Sequence, residues 1–392
     1  MRVLYCNPIA LDYRIPFYRK LNELFEGNFY FLYSANRYRL TGRVELMNRL
    51  TDTLKENAIA YEGEKIFNTY TRSFTKYSSE KGQRIPITWG LFHKIKAQHP
   101  DVLITEGFFQ WTPLVLLYSI LFRKPIFIGY ERTPWTERNN GKLKTWHRKL
   151  TDKFVTGYLV NGSETKKYLM SIGVKEDKIH IGGMSADGEG LKTDIMEFKK
   201  SNQYQAYHKK YHNGNGLMYL FSGQVVERKG VKYLLPAWME HINSYPNDML
   251  IVVGGGDQYN ELRNRYSGEP SIMMEGRVNY LDIHKYYAVA DVFILPTIED
   301  NWSLVIPEAM SCGLPVSTSI YNGCHPELVK KDVNGITFDP FKQESILEAL
   351  DYFHHVDLKA LGLNSIELEK EFNTENSARR EYEGIMKGLL RK

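Results

Sequence analysis

Two carboxylates eight positions apart, Asp300 and Glu308, lie in the part of the sequence with the richest chemistry. An apolar run before them, Val292–Leu295, predicts a strand that must end at Pro296, since proline cannot donate to a strand ladder. A polar turn follows, and then a helical run over residues 303–311 that a glycine closes. The pattern predicts half of a βαβ unit, with one acid in the turn and the other about one turn inside the helix.

The start of this helix is suited to bind an anion. Proline is tolerated only where its missing N–H would be unpaired, so Pro307 restricts the helix start to about residues 302–304. Unpaired amides at a helix start bind phosphate. They are expected to be those of Asn301, Trp302, Ser303 and Leu304. The flanking acids could hold sugar hydroxyls; alternatively Asp300 only caps the helix and Glu308 is solvated.

A second turn carries two adjacent cations. Residues 222–230, SGQVVERKG, join an apolar strand to a helical run, and Gly223 permits close approach of the backbone. Arg228 and Lys229 would then lie at the carboxyl end of that strand, where they could neutralise a diphosphate. An exposed basic turn is the commoner role of such a pair, so this turn alone also has two interpretations.

Together these motifs resemble the retaining glycosyltransferases of family 4. The signature of that family is two glutamates separated by seven residues, followed by Ala-Met-x-x-Gly-x-Pro-Val. The matching residues here are Glu308, Ala309, Met310, Gly313, Pro315 and Val316. Asp300 replaces the first glutamate and shortens its reach by one methylene. In the basic turn Lys229 matches the family's lysine, whereas Gln224 stands where the family has arginine, and Arg228 could supply the missing charge.

The resemblance covers about residues 217–340, and it implies transfer of a sugar from a nucleotide diphosphate donor with retention of anomeric configuration. Glu308 would hold the ribose hydroxyls and Asp300 would orient the donor sugar. Lys229, Arg228 and the helix-start amides would stabilise the charge on the leaving diphosphate. The resemblance therefore implies no metal and no cofactor besides the co-substrate, a UDP- or GDP-linked sugar.

Two further turns of the second half fit the donor site that the resemblance implies. Gly254 and Gly255 follow an apolar strand and resemble the family's glycine turn, although plain turns use such glycines equally often. Arg277 and Val278 lie in a segment that resembles the one facing the donor base. Arg277 could stack on that base or simply be solvated.

The first half of the chain is expected to bind the acceptor. Tyr13 and Arg14 follow the first strand and Glu106 ends another, and open α/β sheets bind ligands at such strand ends. Glu131 and Arg132 follow a further strand, where they could grip acceptor hydroxyls or phosphates, or pair with each other. The Gly-Gly loop that many family members have after the first strand is absent, so either Arg14 compensates or the donor is held differently.

The elements that must position these residues form two α/β halves. Short apolar strands alternate with helical runs, which is typical of doubly wound parallel sheets. We expect a Rossmann-like acceptor-binding domain at residues 1–200, a polar linker at 201–216 and a Rossmann-like donor-binding domain at 217–373. A C-terminal helix at about 374–392 is expected to pack back on the first domain. The resemblance implies the GT-B arrangement, in which two such domains face a cleft.

Composition excludes several classes of protein. At 392 residues the chain is long enough for two domains, and a net charge of +5 is too small to indicate nucleic acid. Three scattered cysteines predict no disulfide framework, and we expect the eleven histidines to form no metal-ligand cluster. Neither a secretory leader nor a run long enough to cross a bilayer is evident, which predicts a cytoplasmic protein.

One helical segment has two interpretations. Leu143, Trp146, Leu150 and Phe154 would form one apolar face. The basic residues around that face are Lys142, Lys144, Arg148, Lys149 and Lys153. We interpret the face as core and the charges as a solvated flank, the commoner arrangement. The alternative is peripheral contact with anionic lipid at the cytoplasmic face of a membrane, which would suit a lipid-linked acceptor.

By analogy with the family, the acceptor is expected to be a glycan or a lipid-linked sugar of surface polysaccharide assembly. A nucleotide-sugar epimerase and a non-catalytic nucleotide-sugar-binding protein remain open, the latter favoured by Gln224 and the missing Gly-Gly loop. A dehydrogenase is disfavoured because no Gly-x-Gly-x-x-Gly follows the first strand.

Overall fold

The computed structural model describes residues 1–69, 83–185, 188–212 and 214–391. It divides into two compact units, one of Met1–Ser185 with Thr374–Lys392 and the other of Ala186–Asn373. Each unit is built on one parallel β-sheet flanked by helices, so the predicted pair of Rossmann-like domains is confirmed.

The first unit has a seven-stranded sheet in the order β3-β2-β1-β6-β7-β8-β9 and a separate antiparallel hairpin, β4-β5. The strands are β1 (Val3–Cys6), β2 (Phe29–Ser34), β3 (Ala58–Tyr61), β4 (Glu64–Thr69), β5 (Gln83–Thr88), β6 (Val102–Glu106), β7 (Ile126–Tyr130), β8 (Gly157–Val160) and β9 (Ile179–Ile181). All residues of β1 and β7 are buried, as expected for parallel strands covered on both faces. The strand order reverses between β1 and β6.

The helices of the first unit, before the chain enters the second, follow the predicted alternation. They are α1 (Ile15–Leu24), α2 (Ala35–Leu40), α3 (Val44–Leu54), α4 (Leu91–Ala97), α5 (Thr112–Phe122), α6 (Lys142–Asp152) and α7 (Ser163–Ser171). Helix α1 buries Phe17, Tyr18 and Leu21 against aromatic residues of β1 and β2. Its amphipathic spacing thus anchors the loop between β1 and α1, which carries Tyr13 and Arg14.

The second unit has a six-stranded parallel sheet in the order β12-β11-β10-β13-β14-β15. Its strands are β10 (Met218–Ser222), β11 (Met249–Val253), β12 (Ile272–Gly276), β13 (Val292–Leu295), β14 (Val316–Ser319) and β15 (Gly335–Phe338). Its helices are α8 (Gly188–Lys200), α9 (Asn202–Tyr211), α10 (Val231–His241), α11 (Tyr259–Arg265), α12 (His284–Val289), α13 (Val305–Ser311), α14 (His325–Leu328), α15 (Gln343–Tyr352) and α16 (Leu358–Lys370). If the six strands of this unit are numbered 1 to 6 in chain order, their order in the sheet is 3-2-1-4-5-6, which is the order of dinucleotide-binding Rossmann domains.

Two boundaries differ from those expected. The first unit ends at Ser185 rather than near residue 200, because α8 packs on α12 and α13 of the second unit. Residues 201–216, expected to be a linker, contain α9, whose single fully buried residue is Tyr211. A helix with so little buried surface has almost no periodic signal. The last helix, α17 (Thr374–Leu389), belongs to the first unit and packs on α1.

Candidate functional site

The two turns singled out in the sequence meet at the strand-order reversal of the second unit. Strands β10 and β13 are direct neighbours, with Tyr219 paired to Val292 and Leu220 to Phe293. Because the strands are parallel, the turns after them leave the same edge of the sheet. That edge, at the point of reversal, is where open α/β sheets bind ligands.

Glycine at position 230 allows these two turns to touch. Gly230 has φ +72°, and a Cβ there would lie 1.9 Å from the carbonyl oxygen of Pro296. The backbone N–H of Ile298 donates to the carbonyl of Arg228 at 2.8 Å, and the hydroxyl of Thr297 donates to the same carbonyl at 2.9 Å. The basic turn is therefore hydrogen-bonded directly to the turn that carries Asp300.

An ion pair lies at this contact. Lys229 Nζ is 2.6 Å from Asp300 Oδ2 and 3.5 Å from Ser303 Oγ, and Arg228 NH1 is 3.5 Å from the same carboxylate oxygen. Burial raises the pKa of Asp300, but the Lys229 ammonium, Ser303 and Arg228 outweigh it and hold the pKa below its ordinary value. Asp300 is thus an ionised carboxylate that faces two cations. The three side chains together have a net charge of one positive unit.

The turn after β13 is held by side chains rather than by free amides. Asp300 Oδ1 accepts from the Trp302 N–H at 3.3 Å, and Asn322 Oδ1 accepts from the Ser303 N–H at 3.3 Å. Helix α13 begins only at Val305 and has seven residues. The helix thus begins one residue after the predicted range of 302–304. The prediction that the amides of Trp302 and Ser303 are free is wrong, because the side chains of Asp300 and Asn322 accept from them. Asn301 and Leu304 lie in the same turn.

Asn322 is a residue that the sequence analysis missed. It is fully buried, follows β14, and also donates from Nδ2 to Thr318 Oγ1 at 3.0 Å. The available signal was the Asn-Gly pair at residues 322–323, three residues after the end of β14 at the same sheet edge. Glu308, in the first turn of α13, accepts from the hydroxyl of the buried Tyr287 at 3.4 Å, which is a second missed contact.

The remaining predicted donor residues lie on the neighbouring turns. Gly254 has φ +138°, and a Cβ there would be 1.8 Å from the carbonyl oxygen of Gly223, so the turns after β10 and β11 are in contact. A Cβ at Gly255 would lie 3.6 Å from Cβ of Arg277, which follows β12 and is exposed. Gln224 is exposed and Val278 half-buried. The four turns thus form one edge of the second sheet.

Four of the five predicted acceptor residues lie around the order reversal of the first sheet. Arg14 donates to Glu106 at 2.8 Å and to Glu131 at 3.1 Å, and Tyr13 lies beside them, where burial and the charge of Glu131 raise its pKa. Arg132 is different, since its Nε lies 3.8 Å from Glu137. Glu131 and Arg132 are therefore each in contact with another residue, Arg14 and Glu137 respectively.

A buried acid of the last helix joins this cluster. Glu381 on α17 is 6% exposed, and its Oε1 has no hydrogen-bond partner among the described residues. Burial raises its pKa to about 7, with Arg14 lowering it and Glu106 raising it further. No local sequence pattern points to Glu381, because the charged groups that shift its pKa, Arg14 and Glu106, lie more than 270 positions away along the chain.

The expectation that no histidine cluster forms is wrong. Asp248 Oδ2 accepts from Nε2 of His241 at 2.8 Å and from Nε2 of His354 at 2.7 Å. The ligand atoms of these three side chains lie close enough together to hold a metal ion. The other oxygen of Asp248 accepts from the Leu217 N–H at 2.8 Å. These are hydrogen-bond distances, and the contacts tie the end of α10 to the segment after α15.

The interpretation of the 142–154 face as core is also wrong. Leu143 is 77% exposed and Trp146 is 60% exposed, and Leu150 and Phe154 are exposed as well. The buried side of α6 is formed by Arg148 and Thr151 instead, because the Arg148 guanidinium pairs with Glu137 at 2.7 Å. Among the described residues, no helix has both the length and the apolar character needed to cross a bilayer.

Comparison with known proteins defines the fold first. The crystal structure of Anabaena HepE in complex with UDP superposes with a TM-score of 0.74, covering 98% of this chain and 100% of that one at 14% identity. Two Rossmann-like units with this likeness define the GT-B fold, which confirms the expected fold class.

A match to a family model lies in the second unit. Residues 204–364 match the family model of the glycosyl transferases group 1. Over 137 residues the chain is 33% identical to an uncharacterized glycosyltransferase of Methanocaldococcus jannaschii, covering 34% of this chain and 35% of the relative. Over 142 residues it is 28% identical to the UDP-Gal:alpha-D-GlcNAc-diphosphoundecaprenol alpha-1,3-galactosyltransferase of Escherichia coli, covering 35% and 36%. The matched stretch spans about a third of each relative.

Proposed function

We propose that this protein transfers a sugar from a nucleotide diphosphate donor to an acceptor hydroxyl, with retention of anomeric configuration. The observation that carries the proposal is the contact of Lys229 and Arg228 with Asp300 at the strand-order reversal of a group 1 glycosyltransferase domain. Cations at this edge are suited to a diphosphate, and the acid between them is suited to sugar hydroxyls.

Each side chain has a defined part in the proposed reaction. Lys229 and Arg228 neutralise the charge that develops on the leaving diphosphate, which lowers the barrier because these charges are already in place. Asp300 orients the donor sugar, and Glu308, contacted by Tyr287, holds the ribose. The acceptor hydroxyl attacks the anomeric carbon on the face that the diphosphate leaves, so no enzyme nucleophile takes part.

The proposed donor is a UDP-sugar. A solved structure with the same fold contains UDP, and the E. coli relative is named for UDP-Gal. The exposed Arg277 beside Gly255 is placed to stack on a base at the edge of the second sheet. The sequence departures at Gln224 and Asp300 are accommodated in this proposal, because Arg228 supplies a second cation within 3.5 Å of Asp300.

The experiment is donor binding followed by transfer. A thermal-shift screen of UDP- and GDP-sugars identifies the donor, since a ligand of the native state raises its stability. Transfer of that sugar to a lipid extract is then measured for the wild type and Lys229→Ala, with NMR of the product anomer. We expect the variant to be slower by about 10²- to 10³-fold. The control is Lys232→Ala, which removes a nearby cation that pairs with Glu227 at 2.5 Å. An equal rate in Lys229→Ala, or an inverted anomer, contradicts the proposal.

We also propose that the first unit contacts an anionic membrane surface through α6. The exposed apolar residues Leu143 and Trp146 are accompanied by the exposed cations Lys142, Lys149 and Lys153. An apolar face flanked by lysine is attracted to anionic headgroups and inserts its rings at the interface. This contact would place the protein at the cytoplasmic face of a membrane, in surface polysaccharide assembly, where lipid-linked acceptors are found.

A further inference from the structure

A cavity of about 210 Å³ in the first unit lies next to α6. Its wall is formed by the segment after β6, by the end of β7 with the residues after it, and by one side of α6. The residues that matter for its chemistry are Phe109, Tyr130, Arg132, Glu137, Lys144 and Arg148. Only Arg132 of these was predicted as an acceptor residue.

The cavity has more positive than negative charge. Glu137 is buried and faces three cations: Arg148 NH1 at 2.7 Å, Lys144 Nζ at 3.7 Å and Arg132 Nε at 3.8 Å. The other acid in the wall is Glu106, which shares Arg14 with Glu131 at 2.8 and 3.1 Å. The four cations and three acids of this group therefore leave one positive charge unbalanced, which favours an anion such as a phosphoryl group.

Buried polar atoms in the wall lack partners. Arg148 is 2% exposed and Tyr130 is 5% exposed, yet Arg148 Nε and the Tyr130 hydroxyl have no hydrogen-bond partner among the described residues. Buried donors are almost always paired in folded proteins. Burial lowers the pKa of Lys144, and Arg148 and Arg132 lower it further against the opposing effect of Glu137. An anion in the cavity would pair with the free donors and offset this repulsion.

The cavity is continuous with the exposed apolar face of α6. Phe109 lines the cavity, is 46% exposed, and stacks on His147 of α6 with ring centroids 5.3 Å apart. Leu143 and Trp146 lie on the same helix. A polar, cationic cavity next to an apolar surface fits a molecule with a phosphoryl group at one end and hydrocarbon at the other.

We propose that this cavity binds the phosphoryl or diphosphoryl group of a lipid-linked acceptor, with Arg132 and Lys144 contacting its oxygens. The hydrocarbon of the acceptor remains in the bilayer that α6 contacts. The inference deepens the proposed function and rests on it, because it names the class of acceptor. Arg132, 53% exposed at its side chain, and Lys144, 41% exposed, can reach a ligand without unfolding the wall.

The test measures binding without the reaction. Phosphatidylcholine vesicles containing geranylgeranyl diphosphate are sedimented with the wild type, with Arg132→Ala/Lys144→Ala and with the control Lys175→Ala. Lys175 is an exposed cation of the same unit that lies outside both α6 and the cavity wall. We expect the double variant to bind about tenfold more weakly, since two charge-assisted contacts are lost, and the control to differ by less than about twofold.

Two further measurements distinguish binding of an isoprenyl diphosphate from binding of bulk lipid headgroups or of free pyrophosphate. If vesicles with phosphatidylglycerol at equal charge show the same tenfold loss, the cavity recognises bulk headgroups and the inference is overturned. Inorganic pyrophosphate that binds as tightly as the isoprenyl diphosphate also overturns it. The thermal shift by the donor should be unchanged in the double variant. If no nucleotide sugar raises the melting temperature of the wild type, the proposed function itself is contradicted, whatever the vesicle assay shows.

Discussion

The two units have the same strand-order reversal, but their side chains there differ in charge. In the first unit one cation, Arg14, forms ion pairs with two acids, Glu106 at 2.8 Å and Glu131 at 3.1 Å. In the second unit one acid, Asp300, faces Lys229 at 2.6 Å and Arg228 at 3.5 Å. The fold therefore fixes where a ligand binds, and a few residues on the turns decide its charge. An acid-rich edge is suited to hydroxyls and a cation-rich edge to a diphosphate.

The largest effect is expected from removing Arg14, the cation at the acid-rich edge of the first unit. Arg14→Leu removes the ion pairs of two partly buried carboxylates, so we expect a loss of about 3–5 kcal/mol in the free energy of unfolding. Urea unfolding followed by circular dichroism measures it. The control is Lys20→Ala, whose pair with Glu23 is more exposed, so its loss is expected to be much smaller than that of Arg14→Leu. Equal losses would show that the acid-rich edge does not depend on Arg14.

The pH dependence of stability tests the same edge through Glu381. Its folded-state pKa is raised from 4.5 to about 7, so the native protein keeps a proton that the unfolded chain has already released. The resulting stabilisation is complete below pH 4.5 and is lost as the pH rises towards 7, a change of roughly 3 kcal/mol.

Glu381→Gln keeps the shape and removes the titration. Between pH 5 and pH 7.5 the wild type should therefore lose more unfolding free energy than the variant does. Urea titrations at the two pH values measure both losses. Parallel pH profiles for the two proteins would mean that Arg14 keeps Glu381 ionised in the native state.

A smaller effect is expected at the cation-rich edge from Asn322→Ala. The substitution leaves the Ser303 N–H without its buried acceptor and removes one hydrogen bond to the Thr318 hydroxyl, which costs about 1–3 kcal/mol. The donor-induced thermal shift should also decrease, because the turn carrying Asp300 loosens. Asn364→Ala is the matched control, since Asn364 is exposed and its side-chain amide donates to the carbonyl of Val333 at 2.8 Å. An unchanged donor shift would exclude Asn322 as a positioning residue.

The smallest change in stability is expected on the surface of α6. Trp146→Glu removes an exposed ring and adds a negative charge, so vesicles with phosphatidylglycerol should bind about tenfold less protein while the melting temperature stays within about 1 °C. Leu363→Glu, on an exposed apolar residue of the second unit, is the control and should bind as the wild type does. Equal losses in both variants would indicate nonspecific adsorption.

Much of the second unit could be predicted because its strands are short continuous apolar runs. The strand Val292–Leu295 has the predicted bounds, and the turns after β10 and β13 carry the residues singled out from the sequence. Helix α9 was missed since it buries little surface. The Ser303 amide was wrongly predicted to be free, because Asn322, about twenty residues further along the chain, accepts from it.

By itself, the sequence determined two α/β halves, the sheet edges that carry Lys229, Asp300 and Arg14, and the resemblance of one half to a glycosyltransferase family. Periodicity, proline and glycine act locally, so they are visible in a single chain. Only the tertiary structure decided that Arg14 binds Glu106 and Glu131, that Glu381 is buried beside them and that the apolar face of α6 is exposed. These outcomes depend on which distant segments pack together, and burial and charge pairing are properties of that packing.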